Sequence, residues 1–144
     1  MKLAIASDHA GFRLKEQLKK YLKDHEIVDF GTDSEESMDY PDTGFPAADA
    51  VSNKECERGI LICGTGIGMS IVANKVKGIR ASLCTSREVA ILTRKHNNSN
   101  ILALPGRFLD YKEATEIVDA WLNTEFEGGR HQLRLDKIAA RENK

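Results

Sequence analysis

From Gly59 to Ser70 the chain reads GILICGTGIGMS. Ile60, Leu61 and Ile62 form an unbroken apolar run, the pattern of a strand buried on both faces. The run stops at Cys63. Gly64, Gly66 and Gly68 follow, and Ile71, Val72 and Ala73 then start a helical pattern. A thiol is thereby delivered to the carboxyl end of a central strand. The loop after it carries glycines that let backbone N–H groups approach a ligand closely. A nucleophile or base beside a nest of donors is what acyl transfer or enolisation requires. The same strand–glycine–helix turn also serves packing alone in many α/β proteins, and cysteine is among the most buried residue types. On the motif by itself both readings stay open.

Outward from this stretch, strands and helices alternate. Leu3 to Ala6 is a short apolar strand that stops at Ser7, Asp8 and His9. After Gly11, the spacing of Leu14, Leu18, Tyr21 and Leu22 predicts an amphipathic helix, with Lys15, Glu16, Lys19 and Lys23 on its wet face. Ile27 to Phe30 is the second strand. Thr32 to Pro46 is the least regular stretch, and a helix starting at Asp42 or Thr43 runs through Ala47, Ala48, Ala50 and Val51. The helix after the glycine loop is expected to end at Gly78. Ala81 to Cys84 is a fourth strand. Ser86 can cap a helix whose apolar positions are Val89, Ile91 and Leu92, with His96 near its end. Asn97 to Asn100 form a turn, Ile101 to Leu104 a fifth strand, and Ala114, Ile117, Val118, Trp121 and Leu122 another amphipathic helix. Gly128-Gly129 is a hinge before a polar, arm-like helix from Arg130 to Arg141.

Five strand–helix alternations argue for an α/β fold, an open and mostly parallel sheet with helices on both faces. In such sheets ligands bind at the carboxyl ends of the strands, near a switch in strand order. Those ends carry Asp8 and His9, then Cys63 with its glycines, then Cys84, then Gly106 and Arg107.

The 144 residues suit one domain, with residues 127–144 as its C-terminal arm. A net charge of −1 gives no cause to expect nucleic acid or an anionic membrane as partner. The opening MKLAIASDH has too short an apolar run for a signal peptide, and no run approaches a membrane span. Cys56, Cys63 and Cys84 lack disulfide or zinc spacing and read as free thiols of a reducing cytoplasm. Cys56 and Cys84 are taken as packing residues.

Several chemistries are set aside by spacing. A dinucleotide fingerprint would need a third glycine where Met69 stands, and no Gly-Lys-Ser/Thr follows for a Walker loop. Other residues admit two roles each. Asp8-His9 is a catalytic pair or a helix cap with a surface imidazole. His96 is a functional group or a helix-end residue favoured by the dipole. Arg130 and Arg134, one turn apart, form a phosphate fork or a solvated face.

SDHAGFRLKEQL, DYPD, GILICGTGIGMSIVANKVKGIRA, RKHNNSNILALPGR and EGGRHQLR, in that order along nearly the whole chain, resemble ribose-5-phosphate isomerase type B. That family is shared with galactose-6-phosphate and allose-6-phosphate isomerases. The resemblance implies a Rossmann-like three-layer sandwich with a five-stranded parallel sheet, assembled as a homodimer or a pair of dimers. It implies an isomerase of carbohydrate metabolism, in the pentose phosphate pathway. The reaction would interconvert ribose 5-phosphate and ribulose 5-phosphate through a cis-enediolate, without metal or other cofactor. The family's base is a cysteine before the glycine loop or a glutamate just inside it. Cys63 is present and Met69 stands at the glutamate position, which implies a cysteine base.

By the same resemblance, His96 opens the furanose ring and Thr65 relays a proton between the two oxygens. Gly64, Thr65, Gly66, Ile67 and Gly68 supply N–H groups to the enediolate. Asp8 and Asn97 hold substrate hydroxyls, and His9, Arg107, Arg130 and Arg134 form the phosphate pocket. Retention of the thiol, the histidine and the arginine tail favours a five-carbon substrate over a six-carbon one. Retention of Cys63, Thr65 and His96 together argues against a non-catalytic sugar-phosphate sensor.

One expectation is geometric. His96 ends a helix that starts at the active edge, and about ten residues at 1.5 Å each carry it roughly 15 Å away. It should lie near the wrong edge of its own sheet and serve Cys63 of a neighbouring subunit.

Overall fold

The computed structural model describes residues 1–144. The apolar run around Leu61 is β3 (Arg58–Cys63), the middle strand of a five-stranded sheet. Its companions are β1 (Lys2–Ser7), β2 (Glu26–Asp29), β4 (Ala81–Leu83) and β5 (Ile101–Pro105), in the spatial order β2-β1-β3-β5-β4. All pairings are parallel. The direction of winding reverses between β1 and β3, so the switch in strand order falls beside Cys63.

Six helices cover the two faces: α1 (Phe12–Tyr21), α2 (Pro41–Ser52), α3 (Ile67–Asn74), α4 (Arg87–Asn97), α5 (Tyr111–Asn123) and α6 (Arg130–Glu142). Right-handed crossovers fix which helix goes where. Connections that run toward β4 place α2 and α3 on one face; those that run the other way place α1 and α4 on the opposite face, where α5 joins them.

Strand alternation divides the core accordingly. Leu3, Ile5, Ile60, Ile62, Leu102 and Leu104 pack under α1, α4 and α5 around Trp121. Ala4, Ala6, Leu61, Cys63 and Ala103 pack under the alanine-rich α2 and under α3. The α2/α3 face is built of small side chains, which lets those helices sit close to the sheet. Cys63 belongs to that face.

Four local expectations are corrected. Lys15 is not on a wet face: it is 1% exposed, and its ammonium donates to Asp29 at 2.6 Å and Glu16 at 2.8 Å. Tyr21 stands outside the core, bonded to Asp119 and edge-on to Tyr111. On α4 the buried residues are Ala90, Thr93 and Arg94, whereas Val89 and Leu92 face outward. The helix after the glycine loop ends at Asn74, four residues before Gly78. Boundaries also move: the strands shift by a residue at their ends, α2 begins at Pro41 and carries Pro46 inside it, and α6 runs to Glu142.

Candidate functional site

The carboxyl ends of β1, β3 and β5 are laced together by backbone bonds. The Asp8 N–H donates to Ile62 O (3.2 Å), the Gly106 N–H to Cys63 O (2.8 Å) and the Arg107 N–H to Gly64 O (3.1 Å). This brings Asp8, Cys63, the glycine loop and Arg107 to one place. The Asp8 carboxylate is buried and accepts from the Gly11 N–H at 3.0 Å, which fixes it at the start of α1. His9 Nδ1 accepts from the Met38 N–H at 3.2 Å, so the imidazole ties this edge to the loop before α2.

The glycine loop is shaped by its neighbours. Gly66 has φ +77 and caps α3; a Cβ there would strike Leu83 and come within 3.1 Å of the Leu104 carbonyl carbon. Only glycine fits both the torsion and the space. Gly64 lies under Arg107, whose guanidinium would be 3.2 Å from a Cβ at that position. Thr65 is exposed, and its Oγ1 accepts from the Ile67 N–H at 3.2 Å. The first-turn N–H groups of α3 lack intrahelical acceptors and carry the positive end of its dipole.

Cys63 is 4% exposed and sits among Leu61, Met69 and the alanines of the α2/α3 face. Two cavities at this edge, one walled by Gly106 and Arg13 and the other by Gly31 and Thr43, do not include it. Within one chain the thiol is therefore covered, and the exposed groups beside it are Thr65 and Arg107. Met69 is wholly buried, with its sulfur 2.8 Å from where a Cβ on Gly44 would stand. A carboxylate in that position would have to be desolvated.

The remaining expected residues lie elsewhere. α4 leaves the carboxyl end of β4 and descends to the amino edge, where Asn100 joins the Arg80 carbonyl before β4 and the Gly59 N–H of β3. His96 and Asn97 end that descent. His96 stacks on His131 of α6, with ring centroids 4.4 Å apart. The arm is tied at both ends to this amino edge: the Glu127 N–H donates to Lys95 O, and Glu142 accepts from the Gly78 N–H. Arg130 and Arg134 are exposed on it. One chain thus gathers Asp8, His9, Cys63, Gly64 to Gly68 and Arg107 at one edge, and His96, Asn97, Arg130 and Arg134 at the other.

Tyr40 was not singled out by sequence. Its ring lies against the loop, with Cζ 2.6 Å from where a Cβ on Gly68 would be. Thr43 donates its hydroxyl to Ser7 O at 2.9 Å, fastening α2 to the end of β1. The only signal for either was the segment Tyr40-Pro41-Asp42, a proline-led helix start.

No helix is long and apolar enough to cross a membrane. The family model for ribose/galactose isomerase matches residues 3–138. A putative sugar phosphate isomerase of Bacillus subtilis is 51% identical over 100% of this chain and 99% of its own length. Ribose-5-phosphate isomerase B of Escherichia coli is 47% identical over 96% of this chain and 95% of its own. Among solved structures, ribose-5-phosphate isomerase B of Clostridium thermocellum superposes with a TM-score of 0.97 at 52% identity, covering 99% of this chain and 98% of that one. The enzyme from Mycoplasma genitalium, solved with bound ribulose 5-phosphate, gives 0.95 at 46% identity, covering 99% and 97%. With the five-stranded parallel sheet and the thiol at its switch point, these likenesses have one meaning: the chain belongs to the ribose/galactose isomerase family.

Proposed function

We propose that this chain is a ribose-5-phosphate isomerase that uses Cys63 as its base, in a site completed by a second copy. The observation that carries the proposal is the place of Cys63 at the switch point, between Asp8 and Arg107 and before the glycine loop. Met69, buried in the core, leaves no carboxylate to serve in its stead.

In this mechanism His96 of a second copy gives a proton to the ring oxygen as its bond to C1 breaks and the O1 hydroxyl releases its proton to solvent, which opens the sugar to the aldehyde. The Cys63 thiolate takes the proton from C2 of the open aldose. Charge grows on O1, the loop N–H groups stabilise it, and losing one such donor typically costs about 3 kcal/mol of barrier. The Thr65 hydroxyl moves a proton from O2 to O1, and the thiol returns its proton to C1, giving the ketose. Asp8 and Asn97 orient the hydroxyls; His9, Arg107, Arg130 and Arg134 hold the phosphate. Such a reaction belongs to the pentose phosphate pathway.

The division of these residues between two edges supports a shared site. So does the apolar side at β4, where Ile67 and Ile71 of α3 and Val89 and Leu92 of α4 are 43–54% exposed. A homodimer that buries this side would bring an amino edge to a carboxyl edge.

The test is isotope washout. In heavy water, ribose 5-phosphate should take up deuterium while converting to ribulose 5-phosphate, faster than allose 6-phosphate or galactose 6-phosphate converts. Faster turnover of a six-carbon substrate replaces the pentose assignment. Phosphate binding without washout leaves a sensor.

A further inference from the structure

At the amino edge, away from Cys63, the ends of β3, α4 and the β4 approach enclose a cavity of about 340 Å³. Arg58, Arg80 and Arg94 line it together, with the exposed Lys54 beside them. The ion pairs of the chain are made by Arg13, Lys15, Lys19 and His131, so no carboxylate lies within 4.0 Å of any of these three guanidinium groups. Glu57 is the one acidic residue on the wall.

Each arginine spends only part of its fork on the protein. Arg58 Nη1 donates to Trp121 O at 2.9 Å, Arg80 Nε to Asn98 O at 2.9 Å, and Arg94 to Thr124 O at 3.1 Å and Ser99 O at 2.7 Å. These bonds cap the carboxyl ends of α4 and α5, a structural use for one side of each group. Both terminal nitrogens of Arg80 and one terminal nitrogen each on Arg58 and Arg94 have no acceptor in the chain. The crowding has an electrostatic cost: burial, with the charges of Arg58 and Arg80, pushes Arg94 down to about 10. Capping alone does not require three cations to share one cavity.

We propose that this cavity binds a compact oxyanion of the phosphomonoester class, at a site distinct from the isomerase site. Guanidinium forks match phosphate oxygens in pairs, and the volume suits a small phosphorylated metabolite. The bound charge would relieve the repulsion among the three arginines. It would also couple the cavity to α4, where Arg94 and Asn98 bracket His96 and Asn97.

The experiment titrates the full-length protein with inorganic phosphate and follows the side-chain Nε–H resonances of Arg58, Arg80 and Arg94 by NMR. The readout does not depend on turnover. All three signals should move together and saturate, with a midpoint that Arg107→Gln, a change at the isomerase site and not on this cavity's wall, leaves where it was. Lys54 has φ +67, which asparagine adopts readily, so Lys54→Asn should fold normally. It and Arg80→Gln should each weaken the response about tenfold, the scale of one charged hydrogen bond, with kcat/KM unchanged. Three signals that stay still, or a midpoint identical in both variants, overturn the proposal.

Discussion

His96 and His131 stack with their ring planes 16° from parallel, one closing α4 and the other opening α6. The imidazole proposed to open the sugar ring is therefore seated on the arm. Burial, then the charges of His96, Arg130 and Arg134, hold His131 below the ordinary histidine range, and Glu127 at 4.0 Å opposes them only in part.

That depression sets a sign. Between the lowered folded value and an unfolded value near 6.5, the unfolded chain holds more protons at His131. Stability contributed by this group is thus present above about pH 6.5 and declines as the pH falls below it. Thermal unfolding and hydrogen exchange in α6 should show the arm loosening on acidification from about pH 7.5 to about pH 5.5, one unit either side of that value. His131→Phe keeps a flat partner for His96 without a charge, and should flatten the dependence.

Cys63→Ser should lower turnover on ribose 5-phosphate by about a hundredfold or more, the usual weight of a positioned base, while KM changes little. Near-normal turnover would remove the thiol from the mechanism. Met69→Glu should not rescue that variant. It places a carboxyl among Gly44, Val72 and the alanines of α2, and should cost about 3 kcal/mol by thermal or urea unfolding.

A site divided between copies predicts complementation. Cys63→Ser and His96→Asn should each have little activity alone. Mixed one to one and refolded, half the dimers carry both variants, and each of these has one site with both native residues. About one quarter of wild-type turnover should return. No recovery, with subunit exchange verified by mass spectrometry, places both residues in one chain.

Away from the site, Lys15 and Lys19 both reach Asp29, at 2.6 and 2.8 Å. Burial raises the Asp29 carboxyl, but the bonds from Lys15, Lys19 and the Gly31 N–H outweigh it and hold the group below its usual range. Its stabilisation is present above the unfolded value near 4 and fades as pH drops through the folded one. Asp29→Asn leaves the buried ammonium with Glu16 alone. Because Asp29 is partly exposed, the cost should be about 2 kcal/mol rather than the larger penalty of a sealed pair. Urea unfolding at neutral pH measures it.

The fold was legible because strands and crossovers leave strong marks. Leu3 to Ala6, Ile60 to Ile62 and Ile101 to Leu104 are continuous apolar runs, and the helices between them fix the parallel arrangement. The strand order was not written locally: β5 lies between β3 and β4, a long-range pairing that no window of sequence reports. On α4, Val89 and Leu92 repeat at helical spacing as well as core residues do. Periodicity does not tell a face awaiting another surface from one that meets the sheet. Lys15 was misplaced because its partner Asp29 sits on a different element, and a buried ammonium is tolerated only with that partner. At the site, Cys63 and the glycine loop were visible as a motif, whereas Tyr40 was not, since its contact with Gly68 spans separate elements.

Gly128 and Gly129 have φ of +70 and +58, yet nothing lies within 4 Å of a Cβ at either. They are needed for handedness and not for room. A D-alanine would settle there at ease where an L-alanine would resist, so the turn into the last helix is set by backbone chirality, and its landing by the contacts of His131 and Glu142. Those two torsions form a steering joint: altering them redirects the arginine-bearing segment while every strand contact stays as it was.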